Sequence, residues 1–378
     1  MAQKSIYIKK VSTKENFCLL QETWNTLLAE SPINNFFLRW EWLWAWWEAY
    51  KDKNYNLCIL LVFRGNELIG IAPFYINYSL LVKILPIKRL MFLGTKEGSI
   101  ISEYMDIIYR DGDEEVVIRE VIEFITKTEV CDDICFHKIE TSSRTISILQ
   151  QLAKDMKFLY TVVDKAETPY ISLPNNYESF LETLSSSMRS IIRKNQRRLS
   201  KYTNVIFRKT SDVSEFENDF IEFVRLHQCR WESLQFPGSF SQERFFTFQK
   251  QVMRDMIKTG HMELRFLSIS GRNIAAVYNI NYRNKICFYQ GGLDTSFDRR
   301  LSPGILLHGY CIKEAIKDNL KEYDFLLMGN MDSYKKKWTK EYRCQCDIYI
   351  ACPKIVQFVM TAKNKARGFY YTVRGYTS

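Results

Sequence analysis

The chain has 378 residues, 46% of them hydrophobic and 25% charged, which excludes a disordered chain and allows two domains. Its net charge of +10 favours an anionic partner, such as a nucleotide cofactor, RNA or a membrane surface. The ten cysteines are scattered, and the start "MAQKSIYIKK" has no signal-peptide pattern. We therefore expect reduced thiols in a cytoplasmic protein.

The first predicted half covers residues 1–165. Its elements are a hairpin, a strand, a helix and a strand, at Ile59–Asn77, Phe92–Ser99, Glu115–Ile125 and Asp132–Ile139. Gly65 and Asn66 favour the positive backbone angles of the hairpin turn. A single helix between two strands predicts a parallel crossover in an otherwise antiparallel sheet.

The segment Tyr78–Leu90, "YSLLVKILPIKRL", allows two interpretations. It mixes aliphatic and basic residues, as segments that lie on a membrane surface do. A strand or loop packed on the core has the same composition. No apolar run of the sequence is long enough to span a bilayer as a helix, so any membrane contact is expected to be peripheral.

The middle of the chain predicts three helices. The first, Leu184–Tyr202, begins near Ser185 or Ser186 and carries a basic stripe with a spacing of four residues, at Arg189, Arg193, Arg197 and Lys201. This stripe is either a solvated face or a contact for an anionic ligand. The helices Ser214–Trp231 and Ser241–Lys258 follow, separated by a turn at Pro237 and Gly238.

The second half, residues 166–378, repeats the order of the first, at Phe266–Asn281, Tyr289–Ser296, Ile305–Ile316 and Glu322–Gly329. We therefore predict a mixed α/β fold of the α+β kind with tandem halves, each a mostly antiparallel sheet with a parallel crossover helix. Before its helix the first half has the acidic stretch "IISEYMDIIYRDGDEE", whereas the second has "RRLSPG". Only the second would attract a phosphate.

The stretch "RRLSPG", Arg299–Gly304, is either an ordinary strand-to-helix turn or a phosphate cradle. Ser302 can cap the helix, and Pro303 suits its first turn. Gly304 allows a pyrophosphate to approach the backbone N–H groups of the helix start, and Arg299 and Arg300 add positive charge.

The order strand, "RRLSPG", helix and strand resembles the coenzyme A pyrophosphate loop of the GNAT acyltransferases, whose pattern is Gln/Arg-x-x-Gly-x-Gly/Ala. Arg299 and Gly304 match this pattern, and Ser302 stands where the middle glycine is expected. The stretches "FFLRWEWLWAWWEAY", "LIGIAPFY", "LHQCRWESLQFPGSF", "YQGGLDTSFDRRLSPGILL" and "YDFLLMGNMDSYKKKW" together resemble the CelD-like branch associated with cellulose biosynthesis. That branch is related to the FemAB-type peptidyltransferases and also has tandem GNAT-like halves.

The resemblance implies an enzyme that transfers an acyl group from acyl-CoA, a coenzyme A thioester, to an amine, or less favourably a hydroxyl. The resemblance implies a small acceptor of cell-envelope or polysaccharide-related metabolism, and the segment Tyr78–Leu90 also allows a lipid-like amine. Arg299, Arg300, Ser302 and Gly304 would bind the pyrophosphate, and the first half would be degenerate. No metal is expected, because the groups Cys131, Cys135, His137 and Cys344, Cys346, Cys352 lack paired CxxC spacing.

Candidate catalytic residues are Asp294 and His227, which compete as the general base, and Tyr334, which would protonate the leaving thiolate. Candidate substrate-binding residues are Arg230 and Trp231, beside His227, and Lys335, which would hold an anionic acceptor or a phosphate. Structural roles are the alternatives: a core or surface histidine, a turn-capping aspartate and a solvated basic turn.

Two other functions stay open. The net charge of +10 and the basic stripe favour an aminoacyl-tRNA-dependent peptidyltransferase of the FemAB type, which is the one function for which we expect a nucleic acid partner. The serine at position 302 favours a non-catalytic ligand-binding protein on the same scaffold.

Overall fold

The computed structural model describes residues 5–81, 85–99, 101–210, 212–329, 333–351 and 361. Its helices are α1 (Lys14–Cys18), α2 (Gln21–Glu30), α3 (Trp40–Tyr50), α4 (Glu114–Lys127), α5 (Arg144–Asp155), α6 (Tyr177–Thr183), α7 (Ser186–Leu199), α8 (Val213–Glu232), α9 (Glu243–Ile257) and α10 (Pro303–Lys317). Short 3-10 helices lie at Phe36–Leu38, Ser239–Ser241 and Ser333–Lys337.

The strands are β1 (Ile6–Val11), β2 (Tyr55–Arg64), β3 (Glu67–Leu81), β4 (Leu85–Phe92), β5 (Ile108–Tyr109), β6 (Asp133–Glu140), β7 (Leu159–Ser172), β8 (Val205–Lys209), β9 (Met262–Ile269), β10 (Arg272–Tyr282), β11 (Lys285–Leu293), β12 (Glu322–Asp324) and β13 (Glu341–Ala351). Most neighbouring strands pair antiparallel, so the fold is the predicted mixed α/β fold.

The chain divides into two compact units. The first contains the described residues up to 47, residues 51–165 and those from 344 onward; the second contains residues 48–50 and 166–343. The sequence analysis instead assigned everything after residue 165 to the second half. The difference arises because Gln345–Ala351 of β13 pairs with β6, a strand of the first unit.

In the first unit the strand order is β1-β2-β3-β4-β6-β13, with β5 against β3. Helix α4 connects β4 to β6, and these two strands are parallel. The rings of Phe74, Phe92 and Phe136 stack in its core, with centroids 4.4 to 5.3 Å apart. Trp42 is fully buried there and its indole donates a hydrogen bond to Ser102 at 2.8 Å.

The segment Tyr78–Leu90 forms part of the β3–β4 hairpin, with residues 82–84 outside the described ranges. Tyr78 and Leu80 are 42% and 58% exposed, whereas Ile87 and Leu90 are buried. One face of the segment therefore packs on the core of the first unit, as the strand interpretation predicts. Within the described ranges, every helix is too short or too polar to cross a membrane.

In the second unit the strand order is β7-β12-β11-β10-β9-β8, and helix α10 connects β11 to its parallel neighbour β12. This unit therefore repeats the order of the first, as predicted. Its core includes the buried α10 residues Leu307, Cys311 and Ile312. Helix α8 packs closely on β11, because a Cβ atom on Gly292 would lie 2.5 Å from the backbone nitrogen of His227.

Strands β11 and β12 separate soon after they meet. Their pairing covers Lys285–Cys287 of β11 and ends at Asp324. The next residue, Phe325, instead donates its N–H to Pro169 of β7. The antiparallel pairing of β11 with β10 also skips Tyr289, which forms a bulge. Among the described residues, no strand pairs with the β12 side of residues 290–293, so this edge of β11 is open to a ligand.

Candidate active site

A cavity of about 430 Å³ lies in the second unit between β11 and the start of α10. Its walls include the open part of β11, the loop 294–302 and the first two turns of α10. Of the residues that sequence analysis singled out, it brings together Arg230, Asp294, Arg299, Ser302, Gly304 and Tyr334. We call it the α10 cavity.

The start of α10 forms one end of the α10 cavity. Ser302 is the N-cap residue and Pro303 follows it, as predicted, but the Ser302 hydroxyl makes no capping hydrogen bond. Its backbone N–H instead donates to the side-chain oxygen of Asn195 at 2.7 Å. The N–H groups of Gly304 and Ile305 have no acceptor within the described part of the chain. Unpaired N–H groups at a helix start are a binding site for an anion.

Asn195 is a site residue that the sequence analysis missed. It lies in α7, is 2% exposed, and donates its amide to Ile191 in the same helix at 2.9 Å. Its side chain is therefore fixed at both ends and holds the loop at Ser302. Its only signal in the sequence is that it is an uncharged polar residue within a strongly basic helix.

The two predicted phosphate-binding arginines differ in their surroundings. Arg299 lines the α10 cavity, is exposed, and makes no hydrogen bond or ion pair with the described residues. Arg300 does not line it and pairs with Asp298 at 2.9 and 3.0 Å. The hydrogen bonds from Arg300 hold the pKa of Asp298 well below its usual range. Arg299 is thus the arginine of this loop whose charge is available to a ligand in the cavity.

Asp294 lines the α10 cavity just after β11. Its carboxylate accepts hydrogen bonds from Arg272 at 2.7 Å and from the hydroxyl and N–H of Ser296 at 2.7 and 3.0 Å. Burial opposes ionisation, but these bonds outweigh it and lower the pKa of Asp294. The side chain is therefore a paired carboxylate, better suited to orient an amine than to accept a proton at neutral pH.

His227 is fully buried in α8 and is not among the described residues that line the cavity. Its Nε2 accepts the indole N–H of Trp231 at 3.0 Å, so Nδ1 carries the proton and donates to Gln228 at 3.1 Å. Burial lowers its pKa to about 4. Both ring nitrogens are occupied, and Trp231 likewise serves this network rather than the cavity wall.

Part of the wall of the α10 cavity is aromatic. Phe288 and Tyr334 line it together with His308, which lies one helical turn after Gly304 in α10. The guanidinium of Arg230 lies 5.9 Å from the centre of the Tyr334 ring. His308 was not predicted, although its spacing of four residues from Gly304 places both on one helix face.

Lys335 is 5% exposed, so it is not the solvated residue that the alternative interpretation predicts. It does not line the α10 cavity either. Its ammonium donates to the carbonyl oxygens of Phe325 and Leu327 at 2.8 and 2.7 Å. These carbonyls belong to the segment that leaves β12, so Lys335 holds the chain in place just past the point where β11 and β12 separate.

The arginines of the predicted basic stripe on α7 have two different kinds of surroundings. Arg189 donates to the carbonyl oxygens of Leu181, Glu182 and Leu184, at the end of α6. Arg193 and Arg197 are exposed beside a shallow depression on α7, and their side chains make no hydrogen bond or ion pair with the described residues. Their charges are available to an anionic ligand.

Comparison with known proteins gives a family match and a fold match. Residues 186–336, about two fifths of the chain, match the model of the acetyltransferase (GNAT) domain family. No curated protein matches the chain significantly.

Several solved structures share the fold. FemX has a TM-score of 0.59 at 12% identity, over 89% of this chain and 96% of FemX. L-PGS from Bacillus licheniformis has a TM-score of 0.53 at 13% identity, over 90% and 96%. The C-terminal domain (DUF2156) of a putative lysylphosphatidylglycerol synthetase from Agrobacterium fabrum has a TM-score of 0.52 at 8% identity, over 93% and 96%.

These identities support a shared fold and no more, and the resemblance to the CelD-like branch stays a hypothesis. The family match covers β10, the open strand β11, the loop 294–302 and the start of α10, which line the α10 cavity. Residues 186–336 of the second unit are therefore similar in sequence to the GNAT acetyltransferase domain.

Proposed function

We propose that the protein is an acyl-CoA-dependent N-acyltransferase whose donor binds in the α10 cavity. One observation carries the proposal: a single cavity joins an unpaired helix start to the open edge of β11. A coenzyme A thioester needs both features, because it has a pyrophosphate at one end and a carbonyl to be polarised at the other.

The pyrophosphate would bind the N–H groups of Gly304 and Ile305 and the side chain of Arg299. Gly304 leaves room for it, since a Cβ there would come no closer than 3.5 Å to Leu293. The Ser302 N–H is already bound by Asn195 and is not available. This bond compensates for the missing glycine by fixing the loop. Arg300 would contribute long-range charge only, because Asp298 pairs with it.

In the reaction, a backbone N–H on the open edge of β11 would stabilise the oxyanion that forms on the thioester carbonyl. The acceptor amine attacks this carbonyl, a C–N bond forms and the C–S bond breaks. Tyr334, on the cavity wall, would give its proton to the departing thiolate. Asp294 would orient the amine, and the new ammonium group would lose its proton to solvent.

The remaining predicted residues would act at a distance. His227 and Trp231 would fix α8 against β11, at the close contact with Gly292. Lys335 would keep β12 separated from β11 by holding the carbonyls that follow β12. Arg230 would receive a polar group of the acceptor, for which we keep the broad class of a cell-envelope, polysaccharide-related or lipid-like amine.

A second donor, aminoacyl-tRNA, is favoured by the free charges of Arg193 and Arg197 on α7. Against it, Arg193 and Arg197 lie beside the separate depression on α7 and do not line the α10 cavity. We therefore place acyl-CoA first.

The test is a thermal-shift panel with CoA, acetyl-CoA, palmitoyl-CoA and an aminoacyl-tRNA. We expect the CoA esters to raise the melting temperature of the wild type and of Gly304→Ala, because the alanine methyl group fits the available space. Gly304→Glu should abolish the shift, because its carboxylate would occupy the anion site. A stable fold in the absence of ligand would show that the loss is a loss of binding.

Three other outcomes would reject the proposal. A shift only with aminoacyl-tRNA, lost steeply as salt is raised, would support the FemAB-type alternative. No shift with any donor, with retained binding of a sugar or lipid amine, would support a non-catalytic binding protein. A shift with CoA esters that Gly304→Glu leaves unchanged would place the donor elsewhere.

A further inference from the structure

We propose that His308 donates a hydrogen bond to an oxygen atom of the donated acyl group, so that the enzyme prefers hydroxyacyl or oxoacyl groups to plain hydrocarbon chains. This inference rests on the proposed function, because it concerns the acyl end of the same cavity. It names the class of acyl donor, which neither the family match nor the shared fold provides.

His308 lies where it can contact the acyl group. It is 4% exposed and lines the α10 cavity, one turn of α10 beyond the Gly304 end. Its imidazole is surrounded by rings: the centroids of Phe288, Phe325 and Trp338 lie 4.5, 5.4 and 5.9 Å from it. It is therefore a polar group within a mostly aromatic part of the cavity wall, with the Tyr334 ring 6.0 Å away.

The partner of His308 fixes its tautomer. Its Nδ1 lies 2.9 Å from the hydroxyl of Tyr323, which is fully buried. Within the described residues, His308 is the hydrogen-bond partner found for this hydroxyl. A buried O–H without an acceptor is costly, so Tyr323 donates to Nδ1. The ring proton then lies on Nε2.

The ring is also neutral. Burial, with the nearby charges of Lys335 and Arg230, lowers the pKa of His308 to about 3. At neutral pH the imidazole that lines the cavity is therefore uncharged and has one N–H donor. Nε2 has no partner among the described residues, which leaves this N–H to a ligand.

An unpaired N–H in an apolar cavity selects among ligands. A hydroxyl or keto oxygen on the acyl chain can accept from Nε2, whereas a methylene at the same place leaves the donor unsatisfied. An ammonium group cannot accept at all. We expect roughly a tenfold preference for the oxygenated chain, the scale of one buried hydrogen bond.

The experiment measures the affinity of the full-length protein for butanoyl-CoA and for hydroxybutanoyl-CoA esters with the hydroxyl at C2, C3 or C4, by isothermal titration. We expect at least one hydroxy ester to bind roughly tenfold more tightly than butanoyl-CoA. His308→Leu should bind both kinds of ester with the affinity of butanoyl-CoA. Tyr323→Phe removes the hydroxyl that keeps the His308 proton on Nε2, so it should reduce the preference. It is the variant to use if His308→Leu does not fold.

The outcomes separate this inference from the proposed function. Equal affinities of the wild type for butanoyl-CoA and all hydroxy esters would overturn the role of His308 and leave the CoA site intact. A preference for hydroxy esters that is retained in His308→Leu would likewise overturn it. In that case His308 would have only a structural role, and its loss would leave the ratio of the two affinities unchanged. No binding of any CoA ester would reject the proposed function itself.

Discussion

His227 is a histidine whose two ring nitrogens are held by Trp231 and Gln228 inside α8 and its surroundings. Its pKa is about 4 in the folded protein, against 6.5 in an unfolded chain. Between these values the unfolded chain binds a proton that the folded protein does not. The contribution of the neutral His227 to the free energy of unfolding is therefore fully present above pH 6.5. It decreases as the pH falls towards 4.

We predict that the free energy of unfolding falls by about 3 kcal/mol over this window through His227, from its pKa shift. His308 acts in the same direction, because its pKa is also lowered. Urea denaturation at a series of pH values measures the slope. His227→Gln keeps an acceptor for the Trp231 indole but does not titrate, so its slope should be distinctly smaller. An unchanged slope would show that His227 is charged or solvated in the folded state.

Among single residues, the sequence analysis identified those cavity residues whose positions are set by a local sequence pattern. Arg299, Ser302 and Gly304 follow from the strand-to-helix turn, and their positions are set by their neighbours in the chain. His227 could not be assigned this way. Its environment depends on Gln290, which is distant in sequence, and on the burial of α8 against β11.

Lys335 shows the same limit. A run of three lysines reads as a solvated turn, but the structure buries Lys335 against two carbonyls that follow β12. The reason is that β12 ends after three residues, and the chain that follows it places both carbonyls beside the Lys335 ammonium. Only the tertiary arrangement reveals this contact.

At the scale of elements, α7 combines two kinds of arginine with the same sequence spacing. Arg189 binds three carbonyl oxygens at the end of α6, where a helix leaves its last carbonyl groups unpaired. Arg193 is exposed and has no such partner in the described part of the chain. The periodicity predicted the helix and its stripe, but not this difference.

We predict that Arg189→Ala lowers the free energy of unfolding by about 1 kcal/mol, because it removes the charged cap of α6. Arg193→Ala, the matched control one turn away, should change it by less than about 0.5 kcal/mol. Chemical denaturation of the two variants and the wild type gives both numbers. Equal losses in the two variants would mean that Arg189 does not act through the α6 carbonyls.

The hairpins β2–β3 and β9–β10 and the helices α4 and α10 agree with the sequence analysis. Their signals are local: a positive-φ glycine at residue 65 or 271 in each turn, and helical periodicity in each crossover. Strand β12 is shorter than the predicted Glu322–Gly329, because Leu326 has a positive φ of 58° and the chain leaves the line of the strand.

At the scale of the whole molecule, the division of the chain depends on β13. Residues 344–351 are remote in sequence from the first unit, yet they pair with β6. The side chains of Gln345 and Asp347 add hydrogen bonds to Tyr104 and His137 of that unit. Pairing between strands some 200 residues apart leaves no periodic signal in the sequence, so the chain order suggested the wrong partner for this segment.

Ile348 in β13 and Ile286 in β11 are a matched pair of fully buried isoleucines, one in each unit. Replacing either by alanine should cost about 2–5 kcal/mol, through lost burial and a cavity. We predict that Ile348→Ala accelerates amide hydrogen exchange in β4 and β6, and that Ile286→Ala does so in β9, β10 and β12. Each variant should leave the other set near its wild-type rate, because local opening follows the contacts that are lost. Mass spectrometry of peptic peptides measures both sets.

If Ile348→Ala accelerated exchange in β9 and β10 as strongly as in β6, the assignment of β13 to the first unit would not describe how the molecule unfolds. Selective exchange would instead mean that the last described strand stabilises the first unit, even though the candidate active site precedes it in the chain.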